Sequence, residues 1–177
     1  MLLYIALAVG ALFVLFWCAQ LIFFRLHMNW TNLIIPSDEE DESVGVSIIH
    51  PIKDLDFELE KNLESWFRQN YTGPVQHIFS FQTPDDPALP IVQSIIDEHP
   101  DVDCQVIINP VIEGLNGKSS NMVYGMKRAV YDIVLFGDSD IRVKQDFISK
   151  MVRPLKEEKV GMTTCGQVNI GGRDFWT

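Results

Sequence analysis

The chain of 177 residues is about the length of one domain, which allows one sizeable hydrophobic core. Its formal net charge of −10 argues against nonspecific binding to nucleic acid, because there is no surplus of Lys and Arg to neutralise phosphates. Cys18, Cys104 and Cys165 are odd in number and include no CxxC pair, so reduced thiols are expected rather than a disulfide framework.

Residues 1–25 are predicted to form a transmembrane anchor. Residues 1–24 contain no charged side chain, and about 20 apolar residues are enough for a helix to cross the hydrocarbon core of a bilayer. A cleaved signal peptide is the alternative. However, no basic residue precedes the apolar run, and the sequence WCAQ at 17–20 is a poor cleavage site. We therefore expect an uncleaved, single-pass anchor.

The residues after the anchor predict its orientation and a linker. Arg25 is the first positively charged side chain, so the positive-inside rule predicts that the following chain lies in the cytoplasm. Residues 26–43 include the acidic run DEEDE at 38–42. Because a run of like charges is typically solvated, we expect an acidic linker between the anchor and a body that begins at residue 44.

In the body, residues 44–177, apolar β-branched runs alternate with segments whose apolar residues recur at helical spacing, as Leu59, Leu63 and Trp66 do. Strands are predicted at 44–50, 75–81, 106–108, 132–137 and 160–165, with a helix after each of the first four. This alternation predicts right-handed βαβ crossovers and a mainly parallel α/β sheet with helices on both faces. In such sheets ligands bind beyond the carboxyl ends of the strands.

Asp138 and Asp140 are the candidate metal ligands. They directly follow the predicted strand at 132–137 and form a DxD motif. Two carboxylates at the end of a strand can hold Mg²⁺ or Mn²⁺, because these hard cations take oxygen ligands and share the diphosphate of a nucleotide. The cation would neutralise charge that develops on a departing diphosphate. The alternative is that Asp138 only caps a turn.

Polar residues also follow the other predicted strands. Pro51 and Lys53 lie at the end of the first strand, where backbone groups could face a nucleoside base. Asp86 follows the second strand and is a candidate for binding a base or ribose, although Asp beside Pro is also ordinary in turns. Lys118 precedes a predicted helix and suits a phosphate; alternatively, Lys118 is solvated and Ser119 caps the helix.

Four stretches of the chain resemble the ceramide glucosyltransferase family in order and spacing. They are VSIIHPIK at 46–53, NLES at 62–65, DDPA at 85–88 and DSDIRV at 138–143. The resemblance implies a membrane-bound, cytoplasm-facing A-type glycosyltransferase fold. It also implies transfer of a hexose, with inversion, from a UDP-sugar to a membrane lipid such as a ceramide-like or hopanoid-like acceptor, with a divalent metal.

The resemblance also implies roles for individual residues. Asp86 matches the family's first functional aspartate, which binds the nucleotide, and Asp138 matches the second. Asp140 completes a DxD motif that some members of the family lack. Lys118 matches a lysine that precedes the DxD strand. With Pro51 and Lys53, these residues form the expected nucleotide-sugar site, in which Asp138 and Asp140 hold the metal.

Only the N-terminal portion of the family pattern is matched. A third aspartate, the expected general base, and a (Q/R)xxRW motif would lie downstream of the fifth strand. Neither is found up to residue 177, and Asp174 lies too early to be that base. Because inverting transfer needs a base to accept the proton of the acceptor hydroxyl, no catalytic residue is assigned. The chain alone is expected to bind the donor without transferring sugar.

Two other functions stay open. A membrane-tethered scaffold module with a vestigial nucleotide pocket would share the anchor and the α/β body. An aspartate-nucleophile phosphatase also carries a DxD motif after a strand, usually the first strand of its domain. Here the motif follows the fourth predicted strand, and Arg142 comes two places after it.

Overall fold

The structure is a computed structural model and describes residues 1–33, 44–112, 116–168 and 170. Its first element is helix α1 (Leu2–Leu33), which extends beyond the predicted anchor boundary at residue 25. Within α1, the 24 residues Tyr4–His27 are apolar enough and long enough to cross a membrane, and they are not buried against the rest of the protein. Most of the predicted linker, residues 34–43, lies outside the described residues.

A four-stranded parallel sheet forms the centre of the body. Its strands are β1 (Val46–Pro51), β2 (Val75–Phe81), β3 (Asp103–Ile108) and β4 (Ile133–Phe136). The strand order is β3-β2-β1-β4, and every neighbouring pair is parallel. This confirms the predicted α/β class. Because the chain moves outward from β1 to β3 and then returns to the other side of β1, the strand order reverses between β1 and β4.

A helix follows each strand, as the apolar spacing predicts. They are α2 (Leu59–Phe67), α3 (Leu89–Glu98), α4 (Gly117–Met126) and α5 (Phe147–Val152), the last continued by a 3₁₀ turn at Arg153–Lys156. Two predicted strands differ from the structure. The third strand begins at Asp103, which pairs with Gln76 of β2, and not at the predicted residue 106. Residues 160–165 are not a strand; most of them are exposed, so no buried face holds them extended.

One face of the sheet carries the main hydrophobic core. Alternate residues of a strand point to the same face, and Ile48, Phe79 and Leu135 on this face are buried. Helices α2 and α3 cover the β1–β2 side with Leu63 and Val92, among others. Helix α5 and Trp66 of α2 cover the β1–β4 side.

Helix α4 packs on the opposite face of the sheet. Its approach is close at Gly125, where an added Cβ would lie 2.4 Å from Cγ2 of Ile49. The Asn121 side-chain amide of α4 donates to the carbonyl of Ser80 at 3.2 Å. These two contacts hold α4 against β1 and β2, and they fix the position of its N-terminal turn at the carboxyl end of the sheet.

Candidate functional site

A cavity of about 530 Å³ opens at the carboxyl end of the sheet. Its walls come from residues that follow each of the four strands and from the first turn of α4. The lining residues are Pro51, Ile52, Lys53, Asp56, Gln82, Ile112, Asn116, Gly117, Lys118, Asn121, Asp138, Ser139 and Asp140. Five predicted site residues therefore meet in one cavity: Pro51, Lys53, Lys118, Asp138 and Asp140. Ligands of open α/β sheets bind in this place, where the strand order reverses.

The backbone after β4 presents the two aspartates of the DxD motif to the cavity. Gly137 continues the pairing of β4 with β1, since its N–H donates to the carbonyl of Ile49 at 3.0 Å. A Cβ at Gly137 would lie 2.8 Å from the ring of Trp66, so only glycine fits without a shift. Asp138 is half-buried and Asp140 is exposed.

Ser139, between the two aspartates, is held by hydrogen bonds to Asp56 and Asn62. Its side chain is buried, and its hydroxyl donates to the carboxylate of Asp56. Its carbonyl accepts a hydrogen bond of 3.2 Å from the side-chain amide of Asn62. These contacts fix the position of Ser139 in the DxD turn, from which Asp138 and Asp140 line the cavity.

Lys118 and Asp138 form an ion pair across the cavity. The Nζ atom of Lys118 lies 2.7 Å from Oδ1 of Asp138. Lys118 occupies the first turn of α4, where the side chain of Asn116 caps the helix by accepting from the Lys118 N–H at 2.9 Å. The helix is therefore capped by Asn116 and not by Ser119, and Lys118, although exposed, has an ionic partner in Asp138.

Asp86 lies apart from the residues that line the cavity. It is buried, with its Oδ2 accepting from the N–H of Asp54 at 3.1 Å and its Oδ1 accepting from the N–H of Ala88 at 2.9 Å. Asp54 has a left-handed backbone, with φ of 61°. In this structure Asp86 joins the loop after β1 to the loop after β2, and its contact with a nucleotide stays a prediction.

Two polar residues that line the cavity, Asp56 and Gln82, are not among the residues predicted from the sequence. Asp56 adds a third carboxylate to the lining. Gln82 directly follows β2, a position that could have singled it out. Its Nε2, like Oδ1 of Asn121, is buried without a hydrogen-bond partner among the described residues. An added Cβ at Gly117 would lie 1.9 Å from that Nε2, so a larger residue there would displace the end of the Gln82 side chain.

Two buried histidines, His50 and His77, lie directly behind the DxD turn. Nδ1 of His50 lies 3.1 Å from the carbonyl of Gly137, and its Nε2 lies 3.2 Å from Nδ1 of His77. Because a carbonyl only accepts, His50 carries its proton on Nδ1, and His77 donates to the bare Nε2. Burial lowers the pKa of His50 to about 4, although the hydrogen bond to Gly137 partly opposes this, and burial also lowers the pKa of His77.

The residues present suit a metal that is shared with a diphosphate. The described residues contain no group of three or more His, Cys, Asp or Glu side chains arranged to hold a metal ion. Asp138 and Asp140 nevertheless line one cavity. Mg²⁺ is commonly bound by one or two carboxylates together with substrate phosphates, so two aspartates are an adequate protein contribution.

The family profile of glycosyl transferase family 21 matches residues 5–177 of the chain. The chain belongs to glycosyl transferase family 21. Its relatives in this family include the ceramide glucosyltransferase of Candida albicans, which is 35% identical over 127 residues, covering 66% of this chain and 23% of that protein. Ceramide glucosyltransferase 3 of Caenorhabditis elegans is 34% identical over 128 residues, covering 71% of this chain and 28% of that protein. The chain thus spans about a quarter of these relatives.

Among solved structures, this family 21 chain is similar to the mannosyltransferase PcManGT from Pyrobaculum calidifontis in complex with GDP-Man and Mn²⁺. The TM-score is 0.58 with 21% sequence identity, and the match covers 82% of this chain and 42% of that one. This similarity confirms the predicted A-type glycosyltransferase fold. The membership in family 21 also confirms the resemblance to ceramide glucosyltransferases that the four sequence stretches indicate.

Proposed function

We propose that this chain is the donor-binding part of an inverting glycosyltransferase that moves a hexose from a UDP-sugar to a membrane lipid. The observation that carries the proposal is the meeting of Lys118, Asp138 and Asp140 in one cavity at the carboxyl end of the sheet. One cation and two carboxylates at this position match the charge of a diphosphate and a divalent metal. The relatives named ceramide glucosyltransferase support a lipid acceptor.

Each cavity residue has a defined task in this proposal. Asp138 and Asp140 hold Mg²⁺ or Mn²⁺, which when bound would stabilise negative charge on the leaving diphosphate. Lys118, presented by the capped first turn of α4, binds a diphosphate oxygen as a compact point charge. Pro51 and Lys53 line the wall beside the end of β1 and contact the nucleoside part of the donor, and Asp86 holds the adjoining loop.

We further propose that residues 1–25 anchor the body at the membrane with residues 44–177 on the cytoplasmic side. A lipid acceptor and an anchored enzyme meet at the same bilayer surface, which favours their encounter. The residues of this site are assigned to binding of the donor and not to proton transfer, so the proposal is tested by donor binding.

The test compares UDP affinity in the presence of Mn²⁺ for the intact chain in detergent and for Asp138→Ala and Asp140→Ala, by isothermal titration calorimetry. Loss of a metal ligand should weaken Mn²⁺-dependent UDP binding by about tenfold or more. Asp101→Ala is the matched control, because Asp101 is exposed and precedes β3 at the opposite end of the sheet. If the wild-type chain shows no Mn²⁺-dependent affinity for millimolar UDP, the scaffold alternative replaces the enzyme proposal.

A further inference from the structure

The ion pair between Lys118 and Asp138 places a cation on a carboxylate that the metal would use. The Nζ–Oδ1 distance of 2.7 Å is that of a direct, charge-assisted hydrogen bond. The fold positions the backbone of Lys118, because Asn116 caps α4 and Asn121 bonds the helix to β2, while the lysine side chain is half exposed and can move. The ammonium group is therefore a built-in counter-ion for Asp138.

The protein offers few remaining ligands to a metal that arrives alone. Of the three carboxylates that line the cavity, Asp56 accepts a hydrogen bond from Ser139 and Asp138 is paired with Lys118. A divalent cation entering without a nucleotide would meet Asp140 and the positive charge of Lys118. Like charges a few ångströms apart repel each other even in water, so the ammonium group of Lys118 weakens the binding of a divalent cation beside it.

We propose that Lys118 exchanges partners, from Asp138 in the free protein to the donor diphosphate in the complex, and that this exchange makes the metal and the nucleotide bind cooperatively. A diphosphate attracts the ammonium group away from Asp138, which frees that carboxylate for the metal. By reciprocity, a metal on Asp138 frees Lys118 for the diphosphate. The inference rests on the proposed donor site. It adds that the metal binds weakly when the nucleotide is absent.

The experiment measures the Kd of Mn²⁺ for the intact chain in detergent, with and without saturating UDP, from the electron paramagnetic resonance signal of free Mn²⁺. In the wild type, UDP should tighten Mn²⁺ binding by at least about fivefold. In Lys118→Met, Mn²⁺ without UDP should bind about three- to tenfold more tightly than in the wild type, because the competing charge is gone. UDP should then tighten Mn²⁺ binding less than it does in the wild type.

Two further variants separate the exchange from a general loss of charge. Lys118→Arg keeps a positive charge beside Asp138, so without UDP it should not bind Mn²⁺ more tightly than the wild type does, in contrast to Lys118→Met. Lys150→Met removes a cation from another ion pair of similar geometry, in which Nζ of Lys150 on α5 lies 2.6 Å from Oδ2 of Asp146, outside the cavity. Lys150→Met should change neither the Kd of Mn²⁺ nor its response to UDP.

The results distinguish this inference from the proposed function. If Mn²⁺ and UDP bind but Lys118→Met has the wild-type Kd for Mn²⁺ and the wild-type response to UDP, the exchange is wrong and the donor site stands. If the wild type binds neither Mn²⁺ nor UDP, both proposals are overturned. Tighter binding of Mn²⁺ alone together with a reduced response to UDP, seen in Lys118→Met only, supports the exchange.

Discussion

His50 and His77 form a buried hydrogen-bonded pair directly behind the DxD turn. Burial lowers the pKa of His50 from 6.5 to about 4, and it also lowers the pKa of His77. Between these pH values the unfolded chain binds a proton at residue 50 that the native protein does not, so the free energy of unfolding must rise with pH. The contribution of His50 is fully present above about pH 6.5 and is lost as the pH falls towards 4.

We predict that the wild type loses about 3 kcal/mol of stability through His50 between pH 6.5 and pH 4, since one pKa unit corresponds to about 1.4 kcal/mol. Urea unfolding at a series of pH values measures this slope. His50→Gln keeps an N–H donor for the Gly137 carbonyl but cannot titrate, so its stability should fall less steeply over the same range. An identical pH slope in both proteins would contradict a neutral, buried His50.

Asp138 and Asp140, which directly follow a strand, were predictable from the sequence, whereas Asp56, in a longer loop, was not. Asp138 and Asp140 come immediately after an apolar run, so the end of β4 places them at the cavity. Asp56 and Asn121 reach the cavity only through the path of the loop after β1 and the docking of α4. The burial of Asp86 depends on a hydrogen bond to the Asp54 N–H, which leaves no local signal in the sequence.

At the scale of elements, the docking of α4 on the sheet depends on Gly125. An added Cβ there would lie 2.4 Å from Cγ2 and 3.2 Å from Cγ1 of Ile49. Ile49 is fully buried and β-branched, so its side chain has little freedom to move aside. Gly125→Ala must therefore push α4 outward or distort β1.

We predict that Gly125→Ala destabilises the body by roughly 1–2 kcal/mol. Overpacking typically costs 1–3 kcal/mol, and the better helix propensity of Ala returns up to about 1 kcal/mol. Gly161→Ala is the matched control, because an added Cβ there meets no atom within 4 Å, and it should stay within about 0.5 kcal/mol of the wild type. Denaturant unfolding measures both; equal stability of the two variants would contradict the close packing of α4.

The elements themselves were predicted best where apolar periodicity and burial agree. The strands β1, β2 and β4 and helices α2 to α4 coincide with apolar patterns, because both faces of the sheet centre are covered. β3 is an edge strand whose first residue, Asp103, is exposed, so its apolar run begins later than its hydrogen bonding. Residues 160–165 are apolar in part, yet Met162 is 82% exposed. An apolar pattern alone does not form a strand when no neighbouring strand pairs with it.

At the scale of the whole molecule, the side of the bilayer on which the body lies determines whether a cytoplasmic UDP-sugar can reach the cavity. The span Tyr4–His27 identifies a helix able to cross the membrane but not its direction. The three cysteines provide a way to measure the direction. Cys18 lies within the span, and burial raises the pKa of the Cys104 thiol to about 11, which lowers its thiolate fraction near neutral pH and slows its reaction.

Cys165 is exposed and lies in the body, so it is the thiol that a charged maleimide should modify. If residues 44–177 face the cytoplasm, as the charge of Arg25 beside the apolar run predicts, a membrane-impermeant maleimide should not label the chain in intact bacterial spheroplasts. After lysis, labelling should become nearly complete, and Cys165→Ser should abolish it. Equal labelling before and after lysis would place the body outside the cytoplasm, where a cytoplasmic UDP-sugar could not reach the cavity formed by Lys118, Asp138 and Asp140.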